Sequence, residues 1–442
     1  MLANPQLPTN WSQGRNALTR PGARGRAKAA LLIGMLFLLA CGDEKPTRLP
    51  FDGQVKVGIL HSRTGTMAIS EHTVAEAELL AIVEINLAGG IEIEGKRLAI
   101  APIEEDGASD WPTFARKAEQ LIDRDKVAVV FGGWTSASRK AMLPIFESRD
   151  HFLFYPIQYE GQECSRNIFY AGATPNQQAE PALRWLLDNK ARDIFLVGSD
   201  YVYPRTVNTI IRAQVAEEGG NIHGEVYLPL GSSLVGPIVD EISRALPGGG
   251  VVINTLNGDS NIEFFRQMKA SGLDADHGYS IMSFSIAEEE VATIGAEYLA
   301  GSYATWSFFD GQDTPGARKF KENFREMHGL NRVTSEPAEA AYTMVYLWAR
   351  AAEKANSLDN KKVREALIGQ EFESPAGRVE VMPNHHLSKR ALIGEVQADG
   401  MFKIVEDYGN IAPLAWSPLL PENEGYICNW RLDRPDAGRF KP

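Results

Sequence analysis

The sequence predicts an α/β protein built from two doubly wound lobes with mainly parallel sheets. Its 442 residues are enough for two or three domains. After residue 54, short apolar runs alternate with helical segments, which is the pattern of βαβ units. About ten such units are too many for one open sheet of ordinary size, so two lobes are the economical arrangement.

Glycine, proline and one helix-capping residue indicate where helices begin and end in a first series of strands and helices. Gly89-Gly90 stops one helix, and Asp110 offers an N-cap to the next, which has Pro112 in its first turn. The predicted strands lie at 55–60, 98–104, 127–131 and 152–155, and the helices at 74–88, from the Asp110 cap to about residue 125, and near 136–149.

A second series of the same kind follows Gly172, and Gly219-Gly220 stops one of its helices. Helices and strands alternate here as well, which predicts the second lobe. Its predicted helices lie at 177–189, 205–218, 234–246 and 260–270, and its strands at 194–197, 225–228 and 251–255.

The composition excludes several classes of protein. Hydrophobic residues make up 44% and charged residues 23%, as in an ordinary globular chain. The net charge of −12 and the pI near 5.3 disfavour a nucleic-acid partner, because phosphate backbones attract basic surfaces. Three cysteines are too few for a disulfide framework or a four-thiolate zinc site. We expect neither a metal nor a cofactor.

The first 40 residues predict an export signal. Five basic residues and no acid precede the twelve-residue apolar run Ala29–Ala40, which is shorter than the roughly 20 residues that span a bilayer. The run leads into Cys41 as Leu-Leu-Ala-Cys, which resembles a bacterial lipobox; a core helix ending in cysteine is the alternative. We expect a signal peptide at 1–40, a lipid on Cys41 and a tether to residue 53. The protein is then a periplasmic or cell-surface lipoprotein held at the membrane by this anchor alone.

No catalytic or nucleotide-binding motif appears in the sequence. The dinucleotide fingerprint, the phosphate loop, the zinc-protease helix and the serine elbow are all missing. His385-His386 predicts a solvated or structural pair rather than a zinc site, since adjacent residues do not share a helix face. Residues 288–290, three glutamates, predict the first turn of a helix, with a cation site as the alternative.

Six blocks of the sequence, in order along the chain, carry a family resemblance. They are VFGGWTSASRKAMLPIFE (130–147), FYPIQYEGQECSRNIFYAGATPNQQ (154–178), VGSDYVYPR (197–205), INTLNGDSN (253–261), DTPGARKF (313–320) and NHHLSKRALIGEVQADGMF (384–402). Together they resemble the substrate-binding proteins of urea ABC transporters. These are type I periplasmic binding proteins, alongside receptors for branched-chain amino acids and short-chain amides. The similarity covers about residues 54–430.

The resemblance implies two α/β lobes joined by three crossovers, with a ligand enclosed between the lobes. It implies a binding protein rather than an enzyme, one that delivers urea or a similar small neutral amide to ABC permease subunits. Closure is expected to be a hinge motion about the crossovers. The implied bounds are 54–174 and 308–375 for the first lobe, 175–307 and 376–420 for the second, and 421–442 for a C-terminal extension.

Ligands of open parallel sheets bind beyond the carboxyl ends of the strands, which selects four loops. The loop after strand 127–131 contains Trp134, Thr135 and Ser136, and the helix start there offers free N–H groups to a carbonyl oxygen. Ser136 is the predicted N-cap of that helix. The resemblance implies that Ser136 also contacts the ligand.

The loop after strand 152–155 supplies Tyr155, Ile157 and Gln158. Tyr155 closes over a small ligand and donates a hydrogen bond, or it packs between helix and sheet. The position of Ile157 bears a hydroxyl in the related amide and amino-acid receptors. Isoleucine offers only its backbone, which weakens the case for a carboxylate ligand.

Two loops of the second lobe complete the predicted site. Tyr201 and Tyr203 follow strand 194–197, and the resemblance favours Tyr201 as the ligand contact with Tyr203 beside it. Thr255, Asn257 and Asp259 lie in the segment that ends strand 251–255.

Asn257 is the predicted determinant of specificity, because its side chain both accepts and donates hydrogen bonds. Urea has a second NH₂ where acetamide has a methyl group, and a buried NH₂ without an acceptor costs about 1–3 kcal/mol. Asn257, with Asp259, could supply the acceptors. The alternative is that Asn257 only stabilises the turn before Gly258.

Cys164 and Cys428 are the two cysteines beyond the lipobox. An exported protein meets oxidising conditions, so a disulfide between them is plausible. The sequence leaves open whether their Cα atoms lie close enough for one.

Three other functions compete with the urea-binding hypothesis. The first is a receptor for short amides or branched-chain amino acids. The second is a sensory ligand-binding subunit that regulates a partner protein. The third is an exported amidase, for which the sequence offers no nucleophile–base pair.

Overall fold

A computed structural model of the protein describes residues 51–442. The predicted signal peptide, the lipidated Cys41 and residues 41–50 of the tether lie outside the described residues. The described chain forms two α/β lobes, which confirms the predicted fold class.

The sheet of lobe 1 has six strands in the order β2-β3-β1-β4-β5-β6. All neighbouring pairs are parallel except β2 with β3. The strands are β1 (Gly53–His61), β2 (Ile91–Ile93), β3 (Lys96–Asp106), β4 (Val130–Gly132), β5 (Leu153–Tyr155) and β6 (Ile168–Tyr170).

Six helices belong to lobe 1. The Asp110 carboxylate caps the second by accepting from the Thr113 N–H at 3.0 Å, as predicted. The first helix begins at Ala68, six residues before the predicted start, because its N-cap, Met67, gives no side-chain signal. The helices are α1 (Ala68–Leu87), α2 (Trp111–Glu119, followed by a π turn at Gln120–Arg124), α3 (Ser136–Ser148), α10 (Pro315–His328), α11 (Glu336–Ala355) and α12 (Asn360–Leu367).

The sheet of lobe 2 has nine strands in the order β12-β13-β14-β11-β10-β9-β7-β8, with β15 also paired to β14. Its β8, β7, β9, β10 and β11 are parallel, and the other four strands are antiparallel. The strands are β7 (Asp193–Ser199), β8 (Asn221–Leu228), β9 (Gly250–Thr255), β10 (Tyr279–Ser283), β11 (Tyr303–Trp306), β12 (Glu371–Ser374), β13 (Gly377–Val381), β14 (Leu387–Val396) and β15 (Phe402–Ile411).

Helices cover both faces of the parallel part of this sheet. Side chains alternate along β7, so that Ile194 and Leu196 join one apolar cluster while Phe195 and Val197 join the other. The helices are α4 (Ala179–Asn189), α5 (Val202–Glu218), α6 (Gly236–Ala245), α7 (Ser260–Ala270), α8 (Glu288–Ile294) and α9 (Ala296–Leu299).

Three connections join the lobes, and the change of core membership locates them. The first lies between Ala171 and Ala179. The second lies between Trp306, in the lobe 2 core, and Ala317, in the lobe 1 core; within it Phe308 packs in lobe 1 and Phe309 in lobe 2. The third lies between Leu387, in the lobe 1 core, and Leu392, in the lobe 2 core. The β12–β13 hairpin is hydrogen-bonded to the sheet of lobe 2, but its apolar side chains pack in lobe 1.

Candidate ligand-binding site

The loop after β4 depends on a glycine. Gly132 has φ of +144°, and a Cβ atom there would lie 2.0 Å from the Leu60 carbonyl oxygen. The chain then enters α3, whose N-cap is Thr135, because the Thr135 hydroxyl accepts from the Ser138 N–H at 3.0 Å. The prediction that Ser136 is the cap is therefore wrong by one residue. The Ser136 hydroxyl instead donates to Glu160.

Trp134 and Asn257 form a direct hydrogen bond between the lobes. The indole N–H of Trp134 donates to Asn257 Oδ1 at 3.1 Å, and both side chains are buried. Asn257 is held in place because its backbone N–H donates to Ser199 Oγ at 3.0 Å and its Nδ2 donates to the Thr255 carbonyl at 3.2 Å. Asn257 therefore does more than stabilise its own turn. Its Oδ1 keeps a second lone pair for a ligand.

Tyr155 is fully buried beneath the same loop. Its hydroxyl donates to the Trp134 carbonyl, and the Arg139 guanidinium lies 4.9 Å from its ring centroid. Burial raises the pKa of Tyr155, so the phenol stays protonated at neutral pH. Tyr155 supports the loop through this bond. Ile157 is also buried, beside it in sequence.

Gln158 also reaches across to lobe 2. Its Nε2 donates to the Phe284 carbonyl at 2.7 Å and to Ser285 Oγ at 3.1 Å. Its Oε1, although buried, has no hydrogen-bond partner in residues 51–442, and neither has the hydroxyl of Tyr203. Burial raises the pKa of Tyr203, and the neighbouring Gln158 amide opposes that effect. The Gln158 amide and the Tyr203 hydroxyl thus lie close to each other from opposite lobes, and a bound solute that hydrogen-bonds to both would bridge them.

The other predicted site residues of lobe 2 are Tyr201, Thr255 and Asp259, and their side chains do not lie together. Tyr201 is buried, with its ring centroid 6.4 Å from that of Trp111 in lobe 1 and 6.3 Å from that of Tyr203. Thr255 turns its hydroxyl into the sheet and donates to the Val197 carbonyl at 3.0 Å. Asp259 is exposed at the rim, where its backbone N–H donates to Thr66 Oγ1 at 3.1 Å.

A buried charge cluster that the sequence analysis did not identify lies behind the lobe 1 wall. The Arg139 guanidinium donates to Glu160 at 3.0 Å, to Glu163 at 2.8 Å and to Ser136 Oγ at 3.0 Å. Burial alone would raise the pKa of Glu163, but Arg139 and Lys140 outweigh it and lower that pKa to about 2. The cluster thus fixes Ser136 from behind.

The sequence does contain a signal for this cluster. Arg139, Met142 and Phe146 are buried at the spacing i, i+3, i+7 on α3, so the arginine lies on the apolar stripe of the helix. A charged residue on such a stripe is almost never fully buried without a partner, and here the partners are Glu160 and Glu163.

The two histidines extend the cluster toward the third connection. Tyr170 donates to Glu163 at 3.0 Å, and its ring stacks on His386 with centroids 4.4 Å apart. His385 and His386 are fully buried, and burial lowers the pKa of each to about 3. They form a neutral structural pair, so the solvated alternative is wrong. Within residues 51–442, no three His, Cys, Asp or Glu side chains are grouped to hold a metal ion.

The predicted cysteine pair is joined in the structure. Cys164 and Cys428 form a disulfide, with Cα atoms 6.3 Å apart. Cys164 follows the loop that carries Gln158 and Glu163, so this bond ties the C-terminal segment to lobe 1. The backbone N–H of Trp430 donates to the Pro383 carbonyl at 2.8 Å and adds a second tie.

The three consecutive glutamates occupy the first turn of α8, as predicted, and they contact residues outside lobe 2. Glu290 accepts from Ser70 Oγ at 2.6 Å, Glu289 accepts from Ser335 Oγ at 2.7 Å, and Glu288 accepts from the Asp310 N–H at 2.6 Å. Burial raises the pKa of all three. Through Ser70 and Ser335, these glutamates form a contact between the lobes.

The comparison with known protein families agrees with this architecture. The family described as "Periplasmic binding protein domain" matches residues 55–422. The chain belongs to this family. The match spans both lobes and all the loops described above.

Individual relatives share limited sequence identity with this chain. The leucine-, isoleucine-, valine-, threonine- and alanine-binding protein of Pseudomonas aeruginosa is 24% identical over 74% of this chain and 85% of its own length. A protein of Geobacillus stearothermophilus named limonene hydroxylase is 32% identical over 29% of this chain, but the match spans only 23% of that protein.

One solved structure with the same fold is a solute-binding protein of an ABC transporter from Rhodopseudomonas palustris, in complex with 4-hydroxybenzoate. Its TM-score is 0.71 at 20% identity, over 82% of this chain and 98% of that one. No helix within residues 51–442 is both long enough and apolar enough to cross a membrane.

Proposed function

We propose that this periplasmic binding protein is the exported solute-binding subunit of an ABC transporter and that it captures urea, or a similar small neutral amide, between its lobes. The observation that carries this proposal is the pair of buried, unpartnered neutral atoms, Gln158 Oε1 and the Tyr203 hydroxyl. Buried polar groups are normally hydrogen-bonded, so an unpartnered pair between two lobes favours a polar ligand there.

Urea matches the hydrogen-bonding groups of this cleft. Its carbonyl oxygen would accept from the Tyr203 hydroxyl, and its two NH₂ groups would donate to Gln158 Oε1 and to the remaining lone pair of Asn257 Oδ1. Acetamide offers a methyl group in place of one NH₂, which would leave one acceptor unpaired at a cost of about 1–3 kcal/mol.

The charges near the cleft favour a neutral ligand over an amino acid. An amino acid needs a carboxylate for its ammonium group, and the buried carboxylate of Glu160, behind the lobe 1 wall, is already bound to Arg139 and Ser136. Ile157 has no hydroxyl for the ligand's carboxylate. Urea has four heavy atoms, so at about 1.5 kcal/mol per atom its binding free energy is about −6 kcal/mol, or a Kd of some tens of micromolar.

Calorimetric titration of the chain from residue 42 with urea, acetamide and leucine tests the proposal. We expect saturable binding of urea, weaker binding of acetamide and no response to leucine. Asn257→Val should reduce the urea-to-acetamide preference by about tenfold, whereas Asn331→Val, on an exposed loop, should leave it unchanged. An unchanged preference in Asn257→Val would remove the specificity assignment, and silence to urea would remove the ligand assignment.

The relatives favour a second candidate, a receptor for branched-chain amino acids or aromatic acids. The P. aeruginosa relative is named for leucine and other small amino acids, and the R. palustris structure holds 4-hydroxybenzoate. Leucine and 4-hydroxybenzoate therefore belong in the same titration. Saturable binding of either, without urea binding, would establish this alternative.

The membrane anchor is the remaining part of the proposal. A lipid on Cys41 would place the protein at a membrane surface, beside its permease. Expression with Cys41→Ala should release the exported protein into the soluble fraction, while Cys428→Ser should not. Equal membrane retention of both variants would exclude lipidation of Cys41.

A further inference from the structure

A second groove lies outside the cleft, between the C-terminal segment and α5. Its volume is about 440 Å³, which falls in the range of small-molecule sites, about 300–1,000 Å³. Trp416 and Leu420 form apolar parts of its lining, and Arg205 and Arg439 stand on opposite sides, on α5 and on the C-terminal segment.

The polar groups of this groove are mainly donors. The buried Nε2 of Gln162 has no hydrogen-bond partner within residues 51–442, while Oε1 of the same side chain accepts from Asn423 at 2.6 Å. That bond fixes which end of the amide is unpartnered. A buried N–H group left without an acceptor indicates a site that an acceptor would complete.

Arg439 supplies a positive charge that has no acidic partner within residues 51–442. Its guanidinium lies over the rings of Tyr426 and Trp416, with its central carbon 4.2 and 5.1 Å from their centroids. No carboxylate of residues 51–442 lies within 4.0 Å of it. Stacking on aromatic rings leaves the N–H edge of a guanidinium free to donate.

Arg205 is oriented from the other side. Asp200 accepts from it at 2.7 Å, and Tyr227 lies beneath it at 4.2 Å. Glu422 is the one acidic side chain among the described residues that line the groove, and its carbonyl accepts from Arg439 at 3.4 Å. Within the lining, two guanidinium groups and an unpartnered amide N–H face one carboxylate, that of Glu422, while Asp200, which is outside the lining, pairs with Arg205.

We propose that this groove is a second ligand site, which binds the carboxylate or phosphate group of a small anion. Arginine pairs with such oxygen groups in two parallel hydrogen bonds, and Gln162 would donate a further one. Gln162 belongs to lobe 1 and Arg205 to lobe 2. An anion held between them contacts both lobes, so its binding also opposes their separation. The site is independent of which solute the cleft takes.

The test follows the Trp416 indole N–H resonance, assigned with Trp416→Phe, during titration with inorganic phosphate and with benzoate. We expect saturable shifts with at least one probe, and weaker binding at higher ionic strength. Arg439→Gln should weaken this binding at least tenfold. Arg434→Gln removes an exposed arginine of the same segment that pairs with Asp436, and it should have no effect.

A cleft variant separates this site from the proposed solute site. Asn257→Val should leave the anion titration unchanged, whether or not urea proves to be the solute. The proposal is overturned if neither probe shifts the resonance, if Arg439→Gln binds as well as the parent protein, or if Asn257→Val abolishes anion binding. Phosphate binding without benzoate binding would assign the site to phosphate groups, and the reverse to carboxylates.

Discussion

The two walls of the cleft are held by different forces. Behind the lobe 1 wall, the buried Arg139 joins Ser136, Glu160 and Glu163 through charge-assisted hydrogen bonds. Behind the lobe 2 wall the bonds are neutral: Asn254 Nδ2 donates to Asn261 and to Ser283, at 2.9 and 3.1 Å.

This difference indicates that one wall supports the site and the other recognises the solute. A charged cluster without solvent is rigid, because each member would be left uncompensated if another moved. The neutral wall carries the amide of Asn257 and the hydroxyl of Tyr203, which has no partner within residues 51–442. These are the groups that we propose distinguish one neutral solute from another. We infer that lobe 1 provides a fixed platform and that lobe 2 brings the discriminating groups to it.

Among these variants, Arg139→Met should have the largest effect on stability. Removal of one partner from a buried ion pair leaves uncompensated charge and costs about 3–5 kcal/mol. The free energy of unfolding, measured with guanidinium chloride, should fall by that amount. Lys140→Met is the matched control, because Lys140 is 37% exposed and its pair with Glu163 contributes less than about 1 kcal/mol. Equal losses in the two variants would show that burial of the cluster does not matter.

The disulfide strengthens the same side of the molecule. It joins residues 264 positions apart in the sequence, on the lobe 1 side of the cleft. Cys428→Ser should lower the free energy of unfolding by about 2–4 kcal/mol. Reductant should produce the same loss in the parent protein and none in Cys428→Ser. A parent protein that reductant does not destabilise would contradict the bond.

The pH dependence of stability should arise from the interlobe glutamates rather than from the lobe 1 wall. Glu163 has a pKa near 2, so its contribution is lost only as pH falls from 4.5 toward 2. The Glu289 pKa is raised above 4.5 by burial and by Glu290. The folded state then holds a proton that the unfolded state releases, so stability is full below pH 4.5 and falls as pH rises, by up to about 1.4 kcal/mol per unit.

Glu289→Gln should flatten this decline above pH 4.5, measured as the free energy of unfolding at fixed pH values. Glu217 is exposed on α5, so Glu217→Gln should follow the parent curve. Parallel curves for all three proteins would assign the pH dependence to other groups.

The local signals in the sequence were sufficient for most of the fold. Periodicity located seven parallel strands and the helices that follow them, but not the parallel strands β6, β10 and β11. The carboxyl-end rule selected the loops that hold Trp134, Gln158, Tyr203 and Asn257. The antiparallel strands β12–β15 were not predicted, because their pairing partners are set by contacts with β11 and lobe 1 rather than by local pattern.

The parts of the site that were missed depend on contacts between distant residues. Arg139 and its partner Glu163 are 24 residues apart, and the Gln158 bond to Phe284 spans 126 residues. Thr135 and Ser136 are adjacent hydroxyl residues, and the extended backbone of Thr135, with ψ of 141°, decides between them as cap. A local window of sequence shows Arg139 on the apolar stripe of α3, but it shows neither the partners of Arg139 and Gln158 nor the choice of cap.

Tyr203→Phe tests the lobe 2 wall of the cleft and should have the smallest effect on stability. The hydroxyl is buried without a partner, so its removal should leave the stability of the unliganded protein unchanged or slightly higher. Urea affinity should fall about tenfold, since one hydrogen bond to the ligand is lost. Tyr279→Phe is the matched control, because the Tyr279 hydroxyl donates to the Leu246 carbonyl at 2.6 Å. That variant should lose about 1 kcal/mol of stability and no affinity, so the two tyrosines should respond in opposite ways. If both lost stability and neither lost affinity, Tyr203 would belong to the packing of lobe 2, and recognition would rest on Gln158 and Asn257.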